Sequence, residues 1–386
     1  MGGCIEGVRV LELARYQAGP RAGLVLSDLG AEVIKLEQVG GEETRKNQPQ
    51  VHGTSIYFTM YNRGKKSATL DLRKEQGKEL FRRLVPEADV VLENFRPGVL
   101  ARLGFPYETL KALNPSIILA SVSGFGQYGP YKDRPAFDPI GQAMSGLMYL
   151  TGRNAGGRPI ATASSIIDRV TALHACIGIL GALYHRQATG EGQHLDVCLL
   201  DSGYTLTEIP LSSFAAHGTG AGGGGYAYQT KDGYVTIMGA GQSMWGRIFK
   251  AIGREDVLTK ENELGASLGR EATLRRIEIV EAWTKEHTTK EAMQMIEEHD
   301  LPGSPVYDLA QAHADPHWRA REIMTEVGTA DGQATLLGPG LTVKFSKTMG
   351  QVRKVPAPGE HNDYVYRDIL SLTPREIEAL KREQVI

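Results

Sequence analysis

Asp168 is the residue of this chain whose type and setting are best suited to covalent chemistry. It stands in the segment 163–169, directly before a long apolar run that predicts a helix over residues 170–188. An aspartate at that N-cap-like position can cap the helix by accepting a backbone N–H. Alternatively, at the positive end of the helix dipole and beside apolar surface, it can stay ionised and act as a nucleophile. The residues alone leave both roles open.

A second candidate is the segment 92–98, Leu-Glu-Asn-Phe-Arg-Pro-Gly, which closes a predicted strand with polar, aromatic and turn residues together. Ligands of open α/β sheets bind at the carboxyl ends of the strands. The same residues are also typical of a simple turn, and the sequence does not separate the two.

The third candidate is a glycine run over residues 218–225, in which six of eight residues are glycine. Such a run forms either a hinge between domains or a backbone loop that approaches a ligand closely, because glycine adopts positive φ without strain. Composition alone favours the hinge.

Several common chemistries are not indicated. The first strand–helix turn, residues 14–23, lacks GxGxxG and contains Pro20, and the chain has no GxxxxGK[ST] and no GxSxG. His313 and His317 lie four apart on a possible helix, a spacing that suits a metal but is more typical of surface histidines. We expect no metal site.

The bulk composition excludes further classes. The 386 residues carry a net charge of −2, which gives no basic face for nucleic acid, and the three cysteines are too few for a disulfide framework. No uncharged apolar stretch reaches about 18 residues, so no membrane span is expected. The N-terminus has no room for a secretory signal, which predicts a cytoplasmic protein.

The elements that must position these candidates alternate between strand and helix. Strand 7–13, helix 21–29 and strand 31–37 form a βαβ unit. The pattern continues with helices at 74–85 and 107–113, strands at 88–92 and 116–122, and a buried strand at 194–200. Alternation of this kind predicts a Rossmann-like open α/β sheet with helices on its faces.

We predict four segments. Residues 1–200 form the N-terminal part of a large α/β domain, residues 201–225 a linker with the glycine loop, and residues 226–325 a smaller α+β domain. Residues 326–386 return to the large domain, with a strand at 338–345 and a C-terminal helix capped by Thr373 and Glu376.

A series of different short motifs follows one after another along nearly the whole chain. They are YQAGP (16–20), GAEVIKLE (30–37), YFTMYNRGKKS (57–67), ENFRPG (93–98), LGF (103–105), LNP (113–115), GEGQ (190–193) and LPGSPV (301–306). With this set the chain resembles the class III CoA-transferases, the formyl-CoA transferase and carnitine CoA-transferase family. The resemblance implies a large α/β domain, a small domain and two interlocked chains in a homodimer.

The resemblance also implies roles for single residues. Asp168 falls at the catalytic aspartate and Gln17 at a glutamine near the thioester. Asn94, Phe95 and Arg102 match positions that hold the nucleotide end of CoA. Gly222 to Gly225 match a loop that covers the active site, which reverses the preference for a hinge and makes Gly224 and Gly225 catalytic candidates.

Lys35 and Arg45, with Arg102, are candidates for the CoA phosphates because they are basic. Three positions depart from the family pattern. Gln38 stands where some relatives have arginine, and Ser123 and Phe125 replace a lysine and a tyrosine of the formyl-CoA branch. The formyl-CoA and oxalate substrate pair is therefore not supported.

The expected reaction moves CoA from an acyl-CoA to a free carboxylic acid through a thioester on Asp168, with CoA as substrate and no bound cofactor. Two alternatives stay open. One is α-methylacyl-CoA racemase, which needs a histidine where this chain has Phe137, and phenylalanine carries no proton. The other is a non-catalytic CoA-binding subunit of a hetero-oligomer. The donor and the acceptor are not indicated.

Overall fold

The computed structural model describes residues 2–154, 156–220, 225–257 and 270–386. The chain divides into two compact units. Unit 1 comprises Met1–Gly220 and Arg319–Ile386, and unit 2 comprises Ala221–Trp318. Because the second stretch of unit 1 follows unit 2 in the sequence, unit 1 is built from both ends of the chain. The domain boundaries given from sequence stay a prediction.

The strands are β1 (Arg9–Glu12), β2 (Glu32–Glu37), β3 (Gln50–Val51), β4 (Thr54–Ser55), β5 (Lys66–Thr69), β6 (Val90–Glu93), β7 (Ile118–Ser123), β8 (His194–Cys198), β9 (Ala227–Gln229), β10 (Tyr234–Ile237), β11 (Gly303–Pro305), β12 (Met324–Gly328) and β13 (Thr335–Pro339). The helices are α1 (Ala18–Asp28), α2 (Ile56–Asn62), α3 (Glu75–Leu84), α4 (Val99–Arg102), α5 (Tyr107–Leu113), α6 (Asp138–Met144), α7 (Leu147–Asn154), α8 (Ile166–Thr189), α9 (Leu199–Tyr204), α10 (Glu208–His217), α11 (Gly241–Ala251), α12 (Arg270–Lys285), α13 (Thr289–Glu298), α14 (Leu309–Ala314), α15 (Pro316–Ala320) and α16 (Pro374–Arg382).

Unit 1 is organised around a six-stranded sheet in the order β5-β2-β1-β6-β7-β8, with all neighbouring strands parallel. The chain runs outward from β1 through β2 to β5, then returns to the other side of β1 and runs outward through β6 to β8. The direction reverses between β1 and β6, and open α/β sheets bind ligands at the carboxyl ends of the strands beside such a reversal. The predicted Rossmann-like large sheet is confirmed.

Both faces of this sheet are covered. On one face α1 and α8 pack against each other and the strands through small side chains, including Ala22, Ala172 and Ala175, none of which is exposed. The other face is covered by α3, α5 and the end of the chain, where Tyr366 and Ile386 join the core. Burial of strands on both faces explains their continuous apolar sequences.

Unit 2 has a three-stranded antiparallel sheet in the order β11-β10-β9. Its core joins Val235 of β10 to Phe249 of α11 and Val280 of α12, all three inaccessible to solvent. The capping box of α13, in which Thr288 and Glu291 bond each other's backbone N–H, fixes where that helix starts.

Two sequence predictions about strands are wrong. The buried strand at 194–200 is β8, which ends at Cys198 and, as the edge of the sheet, leaves His194 and Asp196 exposed. The strand at 338–345 is displaced, because β13 ends at Pro339 after pairing with β12. The predicted C-terminal cap is confirmed: Thr373 and Glu376 form a capping box at the start of α16.

Helix α8 alone, among the described residues, is long and apolar enough to cross a membrane by length and composition. About 44% of its apolar window is buried inside the chain, and core helices of soluble proteins meet the same criteria. This is only weak evidence for a membrane-spanning helix, because one face of α8 lies in the core of unit 1.

Candidate active site

A cleft of about 370 Å³ lies at the carboxyl ends of the central strands. Four of the residues selected from sequence line it: Gln17, Asn94, Phe95 and Asp168. They come from the loop after β1, the turn after β6 and the start of α8, three places far apart in the chain. The topology therefore brings these candidates together at the point where the strand order reverses.

Asp168 lies inside the first turn of α8, not before it. The helix begins at Ile166 with Ser165 as N-cap, and no side chain caps it. The predicted position directly before the helix is therefore wrong by one turn, because Ile166 and Ile167 already belong to the helix. Within the described part of the chain, the Asp168 carboxylate has no hydrogen-bond partner, while its backbone N–H donates to Asp138 Oδ1 at 3.0 Å.

Two effects make the Asp168 carboxylate basic. Burial, and then the charge of Asp138, raise the pKa of Asp168 to about 7, with the Arg169 guanidinium acting in the opposite direction. Asp138 is itself buried and accepts a hydrogen bond from Gln142 Nε2 at 2.5 Å. A carboxylate that is poorly solvated and unpaired is a stronger nucleophile than one stabilised by hydrogen bonds.

Gln17 ends the loop between β1 and α1 and stands at the N-cap position of α1, without capping it. Its Oε1 is buried and finds no hydrogen-bond partner among the described residues. The hydroxyl of Tyr57 lies beside the Gln17 amide, and burial raises the pKa of Tyr57, which keeps this hydroxyl protonated. Two polar groups, an amide and a phenol, therefore lie together near Asp168.

Asn94 holds the β1–α1 loop through its amide. Its Oδ1 accepts the Arg15 N–H at 2.8 Å and its Nδ2 donates to Arg15 O at 2.7 Å. Glu93 in turn accepts the Phe95 N–H at 2.7 Å. Because the Asn94 amide is already paired with backbone, its contribution is to position the loop, and Phe95 is the member of this pair that presents a free surface to the cleft.

Three basic candidates lie outside the cleft lining. Lys35 is only 1% exposed and pairs with Glu12 and Glu42, so it is removed from the candidate phosphate ligands. Arg45 is held by Glu37 at 2.6 Å and by Pro356 O at 2.8 Å, and this pairing also removes it. Arg102 is exposed and its guanidinium lies beside Gly98, at the turn that follows Phe95, so it stays a candidate.

Three arginines that sequence reasoning missed do line the cleft: Arg15, Arg96 and Arg134. All are exposed, Arg15 with a long 3.5 Å pair to Glu43 and Arg134 over the ring of Tyr131. The position of Arg96 inside the motif ENFRPG was a usable signal. Arg134 had none, since it is placed only by the tertiary fold.

The departures from the family pattern also have defined places. Ser123 and Phe137 line the cleft, and Phe137 packs edge-on against Tyr16 with ring centroids 5.7 Å apart. Phe125 packs against Tyr131 instead. Gln38 donates to Gly41 O at 3.0 Å and so closes its own turn.

The glycine loop stays a prediction. Gly222, Gly223 and Gly224 lie outside the described residues, and Gly225 belongs to unit 2. The single helix proposed for His313 and His317 is wrong, because α14 ends at Ala314 and α15 starts at Pro316. Across residues 2–154, 156–220, 225–257 and 270–386 no cluster of three metal-ligating side chains occurs.

The arrangement suits acyl transfer from an anionic substrate. The basic Asp168 carboxylate, unpaired among the described residues, lies in the first turn of α8, and the Gln17 amide is a hydrogen-bond donor in the same cleft. The arginines on the rim can bind phosphates or carboxylates. The chemistry that this geometry favours is attack on an activated carbonyl carried by an anionic carrier.

Comparison with known proteins also indicates acyl-CoA chemistry. A match to CoA-transferase family III covers residues 5–362. A succinyl-CoA–D-citramalate CoA-transferase of Chloroflexus aurantiacus is 35% identical over 99% of this chain and 98% of that protein. A succinyl-CoA–L-malate CoA-transferase beta subunit of the same organism is 32% identical over 99% and 98%. A formyl-CoA:oxalate CoA-transferase of Streptomyces coelicolor is 33% identical over 99% of both chains.

Solved structures agree. A CaiB/BaiF family protein from Brucella suis matches with a TM-score of 0.81 at 32% identity, covering 96% of this chain and 100% of that one. A Mycobacterium tuberculosis protein matches with a TM-score of 0.81 at 29% identity, covering 94% and 99%. The resemblance drawn from the short motifs is confirmed, and the chain belongs to CoA-transferase family III and is an enzyme of the transferase class.

Proposed function

We propose that this enzyme moves CoA from an acyl-CoA to a free carboxylic acid through a covalent intermediate on Asp168. One observation carries the proposal: the Asp168 carboxylate lines the cleft, partly buried and unpaired among the described residues, with a pKa raised to about 7 by burial and by Asp138. An aspartate in a merely capping role would bond to the backbone of its own helix.

The proposed reaction has four steps. An oxygen of Asp168 attacks the thioester carbonyl, the C–S bond breaks, and a mixed anhydride and CoA thiolate form. The thiolate attacks the aspartyl carbonyl of the anhydride and releases the donor acid, which leaves an aspartyl-CoA thioester. The acceptor carboxylate attacks this thioester and expels the thiolate, and the thiolate then attacks the acceptor's carbonyl and frees Asp168. The energy of the thioester stays in covalent bonds throughout.

Residues in the cleft and beside it support these steps. Each addition places negative charge on a carbonyl oxygen, and the Gln17 amide of the cleft lining and the adjacent protonated Tyr57 hydroxyl are suitable donors for it. Arg96 and Arg134, with Arg102 beyond them, suit the phosphates of CoA or the charge of the acid.

Names of the relatives suggest where to look for the substrates. Two Chloroflexus relatives are named for succinyl-CoA as donor, with L-malate or D-citramalate as acceptor. We propose a dicarboxylic acid as acceptor, because the arginines on the cleft rim can bind the second carboxylate while the first reacts. Succinyl-CoA with a panel of small dicarboxylates is the first assay to run.

An interlocked homodimer is part of the proposal. Helix α8 buries one face in unit 1 and leaves Leu173, Ile177 and Tyr184 at 51%, 66% and 78% exposure. Helix α10 has no buried residue at all, with Ile209 and Phe214 exposed at 70% and 60%. Apolar surface on this scale is typical of a face covered by another chain. Light scattering of the purified protein tests it, with a dimer expected and a stable monomer as the contrary result.

A non-catalytic subunit remains the second candidate, because one relative is named as a beta subunit. The Asp168 carboxylate argues for an active chain, since among the described residues no group bonds to it and only its backbone N–H is engaged. The racemase alternative finds no support, because Phe137 lines the cleft where an acid–base group would be needed.

The test is CoA transfer by the purified chain. We expect succinyl-CoA and a suitable acid to exchange CoA with the wild type, and Asp168→Asn to lose at least about 10³-fold in kcat. Asp201→Asn is the matched control, because Asp201 also lies in the first turn of a helix but outside the cleft lining. Full transfer by Asp168→Asn would contradict the proposal, and no transfer by the wild type alone would favour a hetero-oligomer.

A further inference from the structure

Beneath the β1–α1 loop lies a buried ion cluster that the proposed reaction does not use. It comprises Glu12 at the end of β1, Lys35 of β2, Lys65 just before β5, and Glu42, whose side chains are all at most 1% exposed. Glu12 and Lys35 are direct partners in the β1–β2 register, which places their side chains side by side. We call this set the Glu12 cluster.

Lys65 is fully bonded within it. Its Nζ lies 2.8 and 2.7 Å from the two Glu12 carboxylate oxygens, and it donates to Asn62 Oδ1 at 3.0 Å. It also donates to the backbone carbonyl of Pro20 at 2.8 Å. The lysine therefore ties the first turn of α1 to the cluster.

Lys35 makes the corresponding contact at the other end of the loop. Its Nζ lies 3.2 Å from Glu12 Oε1 and 2.7 Å from Glu42 Oε2, and it donates to the backbone carbonyl of Ala14 at 2.7 Å. Ala14 and Pro20 bracket the five residues that carry Gln17. With Asn94 bonded to Arg15 between them, the segment is held at three points.

The segment between these points is in a conformation that needs such support. Tyr16 has a φ of +66°, a region that non-glycine residues adopt at an energetic cost. Helix α1 also approaches the cluster very closely, since a Cβ at Gly23 would lie 1.8 Å from Glu12 Oε2. Glycine at this place lets α1 and its N-terminal loop lie directly on the Glu12 carboxylate.

Buried charges of this kind rarely add net stability, because the desolvation of each ion offsets the attraction between them. Two lysines and two glutamates balance one another, and both lysines have surplus donors that go to loop carbonyls. An apolar core would fill the space as well but would leave the Ala14 carbonyl without its lysine donor and would remove the side-chain bond to Pro20 in the first turn of α1. The cluster is therefore suited to fixing geometry.

We propose that Lys35 and Lys65, organised by Glu12, are positioning residues for the transfer reaction: they hold Ala14 and Pro20 so that Gln17 presents its amide to the reacting carbonyl. This inference rests on the proposed function in one respect, since it takes the rate of CoA transfer as the consequence of the Gln17 position. A displacement of about 1 Å at a reacting group is enough to lower a rate about 10²-fold.

The test is a double-mutant cycle between Lys65 and Gln17, with CoA transfer as readout. Lys65→Met removes the side-chain bond to the Pro20 carbonyl and leaves Glu12 paired with Lys35 at 3.2 Å. Because Lys35 is then shared by Glu12 and Glu42, we also expect some loss of thermal stability, which is measured beside kcat. The matched control is Lys66→Met, which removes the adjacent lysine at the start of β5, whose side chain pairs with Glu32 of β2 and not with the cluster. We expect Lys65→Met to lower kcat at least about tenfold with little change in KM for the acyl-CoA, and Lys66→Met to leave both unchanged.

The Gln17→Ala variant shows whether Lys65 acts by positioning Gln17 or has a general structural role. In the Gln17→Ala background we expect the Lys65→Met effect on kcat to shrink below about twofold, since both changes then act on one group. Equal effects in both backgrounds, or a loss of thermal stability without a kcat effect, would overturn the inference. Faster hydrogen exchange of residues 14–20 in Lys65→Met, with other segments unchanged, is expected independently of activity. If the wild type transfers no CoA, the proposed function fails instead, and unchanged exchange at 14–20 would alone refute the positioning.

Discussion

The backbone N–H of Asp168 donates to Asp138 Oδ1 at 3.0 Å, so the residue that orients the start of α8 also places a second negative charge next to the proposed nucleophile. Asp138 is 3% exposed and its other oxygen is bonded to Gln142 at 2.5 Å, which fixes its direction. The arrangement holds Asp168 in place through its backbone while leaving its carboxylate without stabilising partners among the described residues.

The first prediction concerns the pH dependence of the wild type. Because burial and Asp138 raise the pKa of Asp168 to about 7, the reactive carboxylate is protonated as the pH falls through 7. We expect kcat/KM for the acyl-CoA to fall on the acid side with an apparent pKa near 7, since this parameter reports groups of the free enzyme. A rate that is flat from pH 8 to pH 5 would show that Asp168 does not need to be ionised.

The second prediction is that Asp138→Asn moves this acid limb to lower pH. The variant keeps an oxygen that can accept the Asp168 N–H but removes the like charge, so the pKa of Asp168 should fall. The pH profile of kcat/KM checks it, with Asp133→Asn as a control at an exposed aspartate outside the cleft lining. An unchanged limb would assign the raised pKa to burial alone.

The third prediction links the site to stability. The pKa of Asp168 is about 7 in the folded protein against 3.8 as its ordinary value, so above pH 7 the fold bears the cost of an ionised carboxylate that it stabilises poorly. We expect Asp168→Asn to raise the free energy of unfolding by about 4 kcal/mol at pH 8, because each pKa unit of the shift corresponds to about 1.4 kcal/mol. The gain should decline below pH 7 and vanish near pH 4. Denaturant titrations at these pH values measure it, and a gain independent of pH would contradict the electrostatic cause.

The fourth prediction concerns Asn94. In Asn94→Asp the donor to Arg15 O becomes an acceptor, which leaves that carbonyl unpaired and opposed by negative charge. We expect a loss of about 2 kcal/mol of stability and a lower kcat. Asn114→Asp is the control, because Asn114 donates to Val85 O and Ala88 O in the same way but is not part of the cleft lining. This variant should lose stability without a loss of kcat.

Much of the large sheet could be predicted from the sequence, because its strands are buried on both faces and read as apolar runs. Strand β5 was not predicted, since Lys66-Ser67-Ala68-Thr69 is mostly polar. Those residues form a strand because the C-terminal segment completes their bonding. The Ser67 N–H donates to His361 Nδ1 and the Thr69 N–H to Asn362 Oδ1, at 3.2 and 2.8 Å. Partners almost 300 residues away leave no local signal.

The site divides in a similar way. Gln17, Asn94 and Phe95 lie in short motifs and Asp168 lies beside a long apolar run, and the structure places all four in the lining of the cleft. Their roles in the reaction stay predictions. Lys35 was misassigned because a lysine at the end of a strand is ambiguous until its neighbours are known, and Glu12 and Glu42 meet it only in the folded chain. Arg134 was missed for the same reason.

The most direct test of the account is to trap the intermediate on Asp168. The enzyme is incubated with succinyl-CoA, treated with hydroxylamine or with borohydride, digested and analysed by mass spectrometry. We predict conversion of Asp168 to the hydroxamate by the first reagent and to the alcohol by the second, and no modification without acyl-CoA. A turning-over enzyme with unmodified Asp168, or with the adduct on another residue, would contradict the central claim.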